Sequence, residues 1–454
     1  MTKRIVVVAN RLPLRRTEHG WETSPGGLVS AVAPFLRERG GSWVGWTGAA
    51  DDAPAPFIHE GIEQRPVRLS QPEIDDFYLG FSNGTIWPLY HDAIRSPEFH
   101  RHWWHPYVAV NRRFAERAAE TLRPGDLAWV HDYQLQLVPA MLRRLRPDVR
   151  IGFFLHIPFP PVEILARLPW RKEILQGLMG ADVVAFQTRL GRHNFGRAVR
   201  RFLGGEGTTR GLRAGDRSVQ LMSAPISIDT KSYGALGGSP SVGERVAALR
   251  RELGADRKVI LGVDRLDYTK GIDVRLRAFD TLLQRHQERA DDVVFLQVAV
   301  PSRQGVGDYM AIREEVEGLV GRINGSHREL HQMPVHYRYG SLEPEELVAY
   351  YRMADVMCVT PLRDGMNLVA KEYVASRSGD NGVLVLSEFA GAAEELRQAL
   401  LVNPYDVDGV AETLWWALQL SRPEERARMR ALRRQVQRSD VFRWARTCIE
   451  AIQQ

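Results

Sequence analysis

Residues 258–271 read KVILGVDRLDYTKG, and this stretch decides the fold class of the second half of the chain. Its first part is a continuous run of β-branched and apolar residues, which predicts a strand at 259–263 that is buried on both faces. A polar turn follows, and the apolar spacing beyond it predicts a helix over 274–285. A buried strand that leads into a helix is the repeating unit of a parallel sheet covered by helices.

The same unit recurs on both sides of this stretch. Further buried strands are predicted at 5–9, 127–130, 151–155, 183–186, 293–299, 356–360 and 383–386. Helical patterns separate them at 134–146, 163–177, 308–323 and 345–353. This alternation predicts an α/β protein with doubly wound parallel sheets.

Two segments interrupt the alternation. Residues 204–218 and 234–243 are rich in glycine, serine and threonine, and the pattern restarts at Lys258. At about 100–200 residues per domain, the length of 454 residues predicts two or three domains. We predict two facing doubly wound, Rossmann-like domains, at 1–230 and 231–454, with a ligand cleft between them. Whether the last helix of the chain packs back on the first domain is left open.

The composition excludes several classes of protein. The chain carries 61 Lys+Arg and 55 Asp+Glu, and the cations lie scattered between acids, which argues against a nucleic-acid partner. No apolar run is long enough for a membrane span, and the N-terminal segment is too short for a signal peptide. The two cysteines cannot form a disulfide framework, so we expect a reducing cytoplasm. The basic stretch 426–438 has the spacing of a solvated surface helix.

The first half of the chain places candidate binding residues after its predicted strands. Arg11 follows the first strand, and Gly26 and Gly27 precede a helical pattern, which is the arrangement of an anion site. Tyr78 and Trp87 lie in a segment whose aromatic side chains and glycines suit a sugar ring, although buried aromatic anchors explain them equally well.

Two further strand ends carry polar side chains. Asp132 follows the strand at 127–130, and His156 follows the strand at 151–155. Carboxyl ends of parallel strands are where α/β sheets bind ligands, so a carboxylate there can accept hydrogen bonds from sugar hydroxyls. Prolines after His156 fix the turn in which it lies.

The second half carries the denser signal. Arg265 and Lys270 follow the strand at 259–263, and both can reach a diphosphate, although the order of residues is not that of a P-loop. Arg303 follows the next strand. Asp364 follows the strand at 356–360 and can bind a sugar. The next residues open a helix whose amides can hold phosphate and whose acid can hold a ribose: Gly365, Met366, Asn367, Leu368, Val369, Ala370, Lys371 and Glu372.

Taken together, the motifs NRLP…GG, HDYQ, HIPFP, DRLDYTKG and TPLRDGMNLVAKEY resemble those of the trehalose-6-phosphate synthases, which are retaining glycosyltransferases of the GT-B type. The motifs follow the family's order over nearly the whole chain. The resemblance implies two small-molecule substrates, glucose 6-phosphate and a nucleoside-diphosphate glucose, and no cofactor, no metal, no nucleic acid and no membrane. A homo-oligomer is left open.

The resemblance also implies a role for each matching residue. The acceptor glucose 6-phosphate is expected to contact Arg11, Tyr78, Trp87, Asp132 and Arg303. His156, Arg265, Lys270 and Asp364 are expected to serve catalysis, with Arg265 and Lys270 stabilising the leaving diphosphate. The donor is expected to contact Gly26, Gly27, Arg265, Lys270, Leu342, Asp364 and the residues from Gly365 to Glu372.

The chemistry implied by the resemblance is transfer with retention. Attack occurs on the face from which the diphosphate leaves, and the leaving phosphate receives the proton of the acceptor. Because many relatives read HDYH where this chain has Gln134, and because residues 339–342 do not match firmly, the base of the donor stays open. UDP-glucose is the first choice, and GDP-glucose and ADP-glucose are the others.

Three other functions are weighed against this one. A glucosylglycerol-phosphate synthase or a pseudo-glycosyltransferase shares the scaffold and stays open as the alternative. A dinucleotide oxidoreductase would need a GxGxxG segment after the first strand, where residues 10–15 read NRLPLR. A sugar-phosphate sensor without turnover would not need the full set of predicted catalytic residues.

Overall fold

The structure is a computed structural model that describes residues 3–17, 20–23, 27–302, 307–327 and 333–454. Two compact units are present: Met1–Ile226 together with Val441–Gln454, and Ser227–Asp440. We call them unit 1 and unit 2. The C-terminal segment Val441–Gln454, which the sequence-based limits assign to the second domain, therefore belongs to unit 1.

Unit 1 is built on one large sheet. The strands of unit 1 in the described part of the chain are β1 (Ile5–Arg11), β2 (Leu14–Thr17), β3 (Gly20–Thr23), β4 (Ser42–Trp46), β5 (Phe57–His59), β6 (Ile62–Pro66), β7 (Leu127–His131), β8 (Arg150–Leu155), β9 (Val183–Phe186), β10 (Glu206–Gly207), β11 (Gly211–Ala214) and β12 (Arg217–Ser223). β2 and β3 form a separate short hairpin, and the other strands form the large sheet. The order in the sheet is β10-β11-β12-β9-β8-β7-β1-β4-β6-β5. The central strands are parallel, and antiparallel pairs lie only at the two edges.

Helices cover this sheet. They are α1 (Gly27–Arg39), α2 (Gln71–Glu73), α3 (Trp87–Tyr90), α4 (Arg101–Thr121), α5 (Val138–Leu145), α6 (Val162–Leu165), α7 (Arg171–Leu178) and α8 (Arg189–Leu203). A π-helix at Ile74–Ile86 and a 3₁₀ turn at Tyr133–Leu135 complete the unit.

Unit 2 contains a parallel sheet. Its strands are β13 (Lys258–Arg265), β14 (Val293–Val300), β15 (Val335–Tyr339), β16 (Val356–Val359), β17 (Val383–Ser387) and β18 (Leu400–Val402), in the order β15-β14-β13-β16-β17-β18. Its helices are α9 (Thr230–Gly237), α10 (Pro240–Leu253), α11 (Ile272–Arg285), α12 (Gly307–Ser326), α13 (Pro344–Met353), α14 (Leu368–Ser376), α15 (Val407–Gln419) and α16 (Arg422–Arg438). Short 3₁₀ turns lie at Tyr268–Lys270, Gln287–Asp292 and Gly391–Glu394. The core packs sheet residues against α11, α12 and α15.

Prolines explain where two predicted helices differ from the structure. The pattern at 134–146 forms a 3₁₀ turn and then α5, whose second residue is Pro139, because proline is accommodated in the first helical turn and not further inside. The pattern at 163–177 is divided into α6 and α7 on either side of Pro169.

The last helix, α17 (Val441–Gln453), packs on the sheet of unit 1. Gly152 on β8 lies against Ile452, and the indole of Trp444 packs on Trp129 with ring centroids 5.2 Å apart. The Trp444 Nε1–H donates to the carbonyl of Ala224 at 3.1 Å. In the described part of the chain, no helix combines the length and the apolar character that crossing a membrane requires.

Candidate active site

Arg11 ends β1 and lies on aromatic rings. Its guanidinium carbon is 4.1 Å from the ring centroid of Trp46 and 5.7 Å from that of Tyr78. Gly48 makes room for it, because a Cβ at that position, where φ is 105°, would collide with the guanidinium. The exposed Arg11 side chain is therefore oriented by cation–π contacts, and its N–H groups are available to an anion.

Tyr78 is carried by the π-helix Ile74–Ile86. Trp103 of α4 packs against this helix at Gly80 and Gly84, where a Cβ would lie within 3.1 Å of the indole. π-helical turns are rare and are frequent at functional sites. Trp87 follows the π-helix and is buried, with 4% of its surface exposed.

Trp87 packs on two aromatic neighbours rather than on the cavity described below. Its ring centroid is 4.2 Å from that of His91 and 5.7 Å from that of Tyr133. Its predicted contact with the acceptor stays a prediction.

Asp132 follows β7 with a strained backbone. Its φ of 74° lies in the left-handed region, which is unusual for a residue other than glycine. Its Oδ1 accepts a hydrogen bond from the backbone N–H of His156 at 3.2 Å, so the ends of two neighbouring strands, β7 and β8, are joined. The structure thus brings together two residues that the sequence analysis placed at separate strand ends.

His156 and His131 form a pair of neutral imidazoles. Nδ1 of His131 and Nε2 of His156 are 3.1 Å apart. Burial lowers the pKa of His156 to about 3, and burial and the neighbouring His156 lower the pKa of His131 well below its ordinary value. The ring of Trp444 lies beside His156, with centroids 6.2 Å apart, so α17 supports this pair.

Unit 1 contains a cavity of about 410 Å³ at the carboxyl ends of β1 and β7. Its wall includes these residues with polar side chains: Asn10, Arg11, Thr47, Tyr78, His131, Asp132 and Gln134. The cavity brings together the predicted acceptor residues Arg11, Tyr78 and Asp132. Asn10 and His131 were quoted within motifs but given no role, although their positions at strand ends were a signal that could have found them.

Lys270 in unit 2 is held in a tight turn after β13. Asp267 caps this turn by accepting from the N–H of Thr269 at 3.0 Å, and Gly271 follows with φ of 57°. A Cβ at Gly271 would collide with the carbonyl oxygen of Thr360, so glycine is required there. Arg265 ends β13 with an exposed side chain.

The predicted catalytic residues Lys270 and Asp364 are in direct contact. The Lys270 ammonium donates to Oδ2 of Asp364 at 2.5 Å, and both side chains are largely buried, with exposures of 10% and 13%. Asp364 also accepts from the backbone N–H of Met366 and from the side chain of Asn367, both at 3.3 Å. The carboxylate is thereby fixed between the lysine and the start of α14.

Arg275 of α11 joins the two loops that carry this pair. It is fully buried, its Nη2 lies 2.7 Å from Asp264, and it donates to the carbonyl of Lys270 at 2.8 Å. Its Nε–H donates to the hydroxyl of Thr360 at 3.0 Å. Sequence reasoning missed Arg275, and the signal was a cation on the otherwise apolar face of an amphipathic helix.

The start of α14 is organised by Asn367. This residue has φ of 81°, and its side-chain oxygen caps the helix by accepting from the N–H of Ala370 at 3.1 Å. Within the predicted donor segment, Gly365 and Met366 are buried, and Leu368 and Val369 are half-buried.

Two charged residues of α14 are bound within the protein. The Lys371 ammonium lies 2.6 Å from Glu395, and burial lowers its pKa. Glu372 accepts from the hydroxyl of Tyr351 at 2.9 Å, and burial raises its pKa. Their predicted roles toward the donor stay predictions.

The remaining predicted positions are placed as follows. Leu342 lies half-buried between β15 and α13, and Gly27 is the first residue of α1. Gly26 and Arg303 lie outside the described residues. In the described ranges, no cluster of three histidine, cysteine or acidic side chains is arranged to hold a metal ion.

Comparison with known families matches residues 3–454 to the family described as "Glycosyltransferase family 20". The chain belongs to glycosyltransferase family 20. Membership of family 20 confirms the predicted family and the predicted glycosyltransferase class. With its two parallel-sheet units, the family 20 chain also has the predicted GT-B fold class.

Relatives of this family 20 chain carry informative names. The chain is 53% identical to a trehalose-6-phosphate synthase of Mycolicibacterium smegmatis, over 99% of this chain and 92% of the relative. A UDP-forming α,α-trehalose-phosphate synthase of Burkholderia xenovorans, solved in complex with glucose-6-phosphate, is 37% identical with a TM-score of 0.92, over 99% of this chain and 100% of that chain. The E. coli protein solved with UDP-2-fluoro glucose is 35% identical with a TM-score of 0.93, over 100% of this chain and 99% of that chain.

Proposed function

We propose that the chain transfers the glucosyl group of UDP-glucose to the anomeric hydroxyl of glucose 6-phosphate with retention, giving α,α-trehalose 6-phosphate and UDP. The observation that carries the proposal is the cavity of unit 1. It combines an oriented arginine, an aromatic ring and a carboxylate, which are the groups that bind a sugar phosphate.

The acceptor is assigned to unit 1. Arg11 binds the phosphate, and its position on Trp46 limits the conformational freedom that binding would otherwise remove. Asp132 accepts hydrogen bonds from sugar hydroxyls, and Tyr78 contributes an apolar face. The family resemblance predicts two further acceptor residues, Trp87 of unit 1 and Arg303, whose position in the chain falls in unit 2.

The donor diphosphate is assigned to unit 2. Breaking the bond between the anomeric carbon and the diphosphate leaves negative charge on phosphate oxygens, and Arg265 and Lys270 stabilise it. Asp364 holds the Lys270 ammonium at 2.5 Å, so this cation is already oriented when the charge develops. In unit 2, Leu342 and the segment from Gly365 to Glu372 bind the rest of the donor. The family resemblance also predicts donor contacts from Gly26 and Gly27, whose positions in the chain fall in unit 1.

The transfer balances without an enzymic nucleophile. The bond from the anomeric carbon to the phosphate oxygen breaks, and a bond to the acceptor oxygen forms on the same face. The acceptor proton passes to the departing phosphate oxygen. His156, held neutral by its low pKa, contacts the transferred glucose as an uncharged side chain rather than as a cation.

Two features support the finer parts of the proposal. UDP is favoured as the nucleotide because the Burkholderia xenovorans relative is described as UDP-forming and the E. coli relative is bound with UDP-2-fluoro glucose. A reducing cytoplasm suits the buried free thiols of Cys358 and Cys448. No cofactor is proposed, since the nucleotide sugar is a substrate.

A donor and acceptor panel tests the proposal. The protein is incubated with glucose 6-phosphate and with UDP-glucose, GDP-glucose or ADP-glucose, and the products are identified by NMR. The expected product is an α,α-1,1-linked disaccharide phosphate, formed fastest from UDP-glucose. Absence of a disaccharide phosphate with every donor contradicts the proposal. Glycerol 3-phosphate is tested as a second acceptor, and faster transfer to it than to glucose 6-phosphate would show that the proposed acceptor is wrong.

A further inference from the structure

Three residues that line the unit 1 cavity each carry a buried polar atom with no hydrogen-bond partner among the described residues. These atoms are Oδ1 of Asn10, Nε2 of His131 and Oε1 of Gln134. The exposed fractions of the three residues are 8%, 0% and 8%, so water reaches them poorly. A buried polar group without a partner destabilises the fold, so three on one cavity wall need an explanation.

The hydrogen bonds behind His131 determine which of its nitrogens carries the proton. Gln187 is oriented because its Oε1 accepts from the backbone N–H of Ile226 at 2.9 Å. Its Nε2 therefore faces His156, at 3.5 Å from Nδ1 and at 3.5 Å from the backbone carbonyl oxygen, and its two N–H groups can serve both acceptors. With Nδ1 of His156 as an acceptor, Nε2 of His156 carries the proton and donates to Nδ1 of His131.

The same logic continues into the cavity. A neutral imidazole whose Nδ1 accepts must carry its proton on Nε2. The wall therefore presents one N–H donor, from His131, and two acceptors, from Asn10 and Gln134. Each hydroxyl of a sugar can both donate and accept, so this set complements a ring that carries several hydroxyls.

We propose that Asn10, His131 and Gln134 recognise the hydroxyl groups of the acceptor sugar and thereby select a hexose phosphate over a shorter polyol phosphate. The inference rests on the proposed function, and it assigns the acceptor's hydroxyls to three residues in addition to Asp132. A polyol that satisfies Arg11 with its phosphate but lacks the ring hydroxyls leaves buried groups unpaired. Sites of this kind reject such analogues strongly.

The test compares Gln134→Met with a matched variant. Methionine has nearly the length of glutamine but cannot form these hydrogen bonds. Gln136 is the control, because it is also buried and lies two residues away, but its carboxamide is satisfied within the protein. Its Oε1 accepts from Tyr90 at 2.7 Å, and its Nε2 donates to the carbonyl of Tyr133 at 3.1 Å.

The acceptors are glucose 6-phosphate, its 2-deoxy, 3-deoxy and 4-deoxy analogues, and glycerol 3-phosphate, each with UDP-glucose. The unmodified protein is expected to lose roughly 10- to 100-fold in kcat/KM when the hydroxyl bound by Gln134 is removed. In Gln134→Met, the deoxy analogue that lacks this hydroxyl should react with the same kcat/KM as glucose 6-phosphate. The preference of this variant for glucose 6-phosphate over glycerol 3-phosphate should fall by a similar factor. Thermal unfolding of Gln134→Met stays near that of the unmodified protein.

Gln136→Met is expected to behave in the opposite way. Its unfolding temperature falls because two internal hydrogen bonds are lost, while the penalty for each deoxy analogue is unchanged. If Gln134→Met does not fold, Gln134→Asn is measured with the same acceptors, since the shorter side chain withdraws the amide from the cavity.

Two results are distinguishable. If the unmodified protein makes no product from glucose 6-phosphate, the proposed function fails and the inference fails with it. If it is active but every deoxy penalty is the same in Gln134→Met as in the unmodified protein, the inference alone is overturned.

Discussion

The candidate sites of the two units treat their polar groups differently. In unit 1, Arg11 lies on aromatic faces, and Oδ1 of Asn10, Nε2 of His131 and Oε1 of Gln134 have no hydrogen-bond partner in the described ranges. In unit 2, charged side chains pair with one another: Lys270 with Asp364 at 2.5 Å, and Arg275 with Asp264 at 2.7 Å.

The difference indicates that the site residues of unit 2 contribute to the stability of the fold, whereas those of unit 1 contribute mainly to ligand binding. Removing one member of a buried ion pair leaves an uncompensated charge, so the charged residues of unit 2 stabilise the fold as well as the site. In unit 1, the Arg11 side chain is exposed and lies on aromatic rings. Substitutions there should change the affinity for the acceptor and leave stability nearly unchanged.

The largest effect is expected for Arg275→Met. This change leaves Asp264 buried and unpaired, so the free energy of unfolding should fall by about 3–5 kcal/mol. Arg11→Met should change it by less than about 1 kcal/mol, because Arg11 is exposed. Urea unfolding followed by circular dichroism measures both. Equal losses in the two variants would remove the basis of the comparison.

Lys270→Ala tests the role of unit 2 in the reaction. The variant removes one of the two cations that we propose stabilise the departing diphosphate, so kcat should fall about 100- to 1,000-fold. Binding of glucose 6-phosphate should be nearly intact. Lys172→Ala, at an exposed position on α7, is the control and should keep full turnover. A kcat of Lys270→Ala within tenfold of the unmodified protein speaks against the assigned role.

Gly48→Ala tests the orientation of Arg11. The added Cβ meets the guanidinium, so KM for glucose 6-phosphate should rise about tenfold, which corresponds to about 1.4 kcal/mol. Gly61→Ala is the matched control, because Gly61 also has a positive φ, of 78°, but faces open space. Both variants should lose some stability, and only Gly48→Ala should change KM. The same KM in both variants would show that Arg11 does not depend on Gly48.

The neutral histidine pair predicts a pH dependence of stability. The pKa of His156 is lowered to about 3 in the folded protein, whereas an unfolded histidine titrates near pH 6.5. The unfolded chain therefore binds more protons between these values, and the free energy of unfolding falls as the pH falls through this window. His156 should account for about 1 kcal/mol between pH 6.5 and 5.5.

His156→Gln should flatten this dependence, as measured by urea unfolding at several pH values. His102→Gln, at a side chain that is 66% exposed, should keep it. A slope that is identical in all three proteins would contradict the assignment of a neutral, buried His156.

The strands of the fold were predictable because their sequences are continuously apolar. The strand predicted at 183–186 has the same limits in the structure, and the one at 259–263 is extended by two residues at its carboxyl end and one at its amino end. β4 and β15 were not predicted, since serine, tryptophan, glycine, histidine and arginine interrupt them. The glycine-rich interruption at 204–218 contains β10 and β11, and β11 forms a local antiparallel hairpin with β12.

The candidate sites were predictable in part for a similar reason. Arg11, Asp132, Lys270 and Asp364 follow strands, and strand ends can be recognised from sequence. The π-helix that carries Tyr78 was not predictable, because no residue pattern separates it from an α-helix. The role of Arg275 depends on which loops α11 packs against, and the unpartnered atoms of Asn10 and Gln134 depend on their packing in three dimensions.

A pair of titrations tests the central claim, that unit 1 binds the acceptor and unit 2 the donor nucleotide. Glucose 6-phosphate and UDP are titrated by calorimetry into Arg11→Ala and Lys270→Ala. Arg11→Ala should bind UDP like the unmodified protein and lose at least tenfold in affinity for glucose 6-phosphate, and Lys270→Ala should show the reverse. If either variant loses affinity for both ligands equally, the assignment of one substrate to each unit is contradicted.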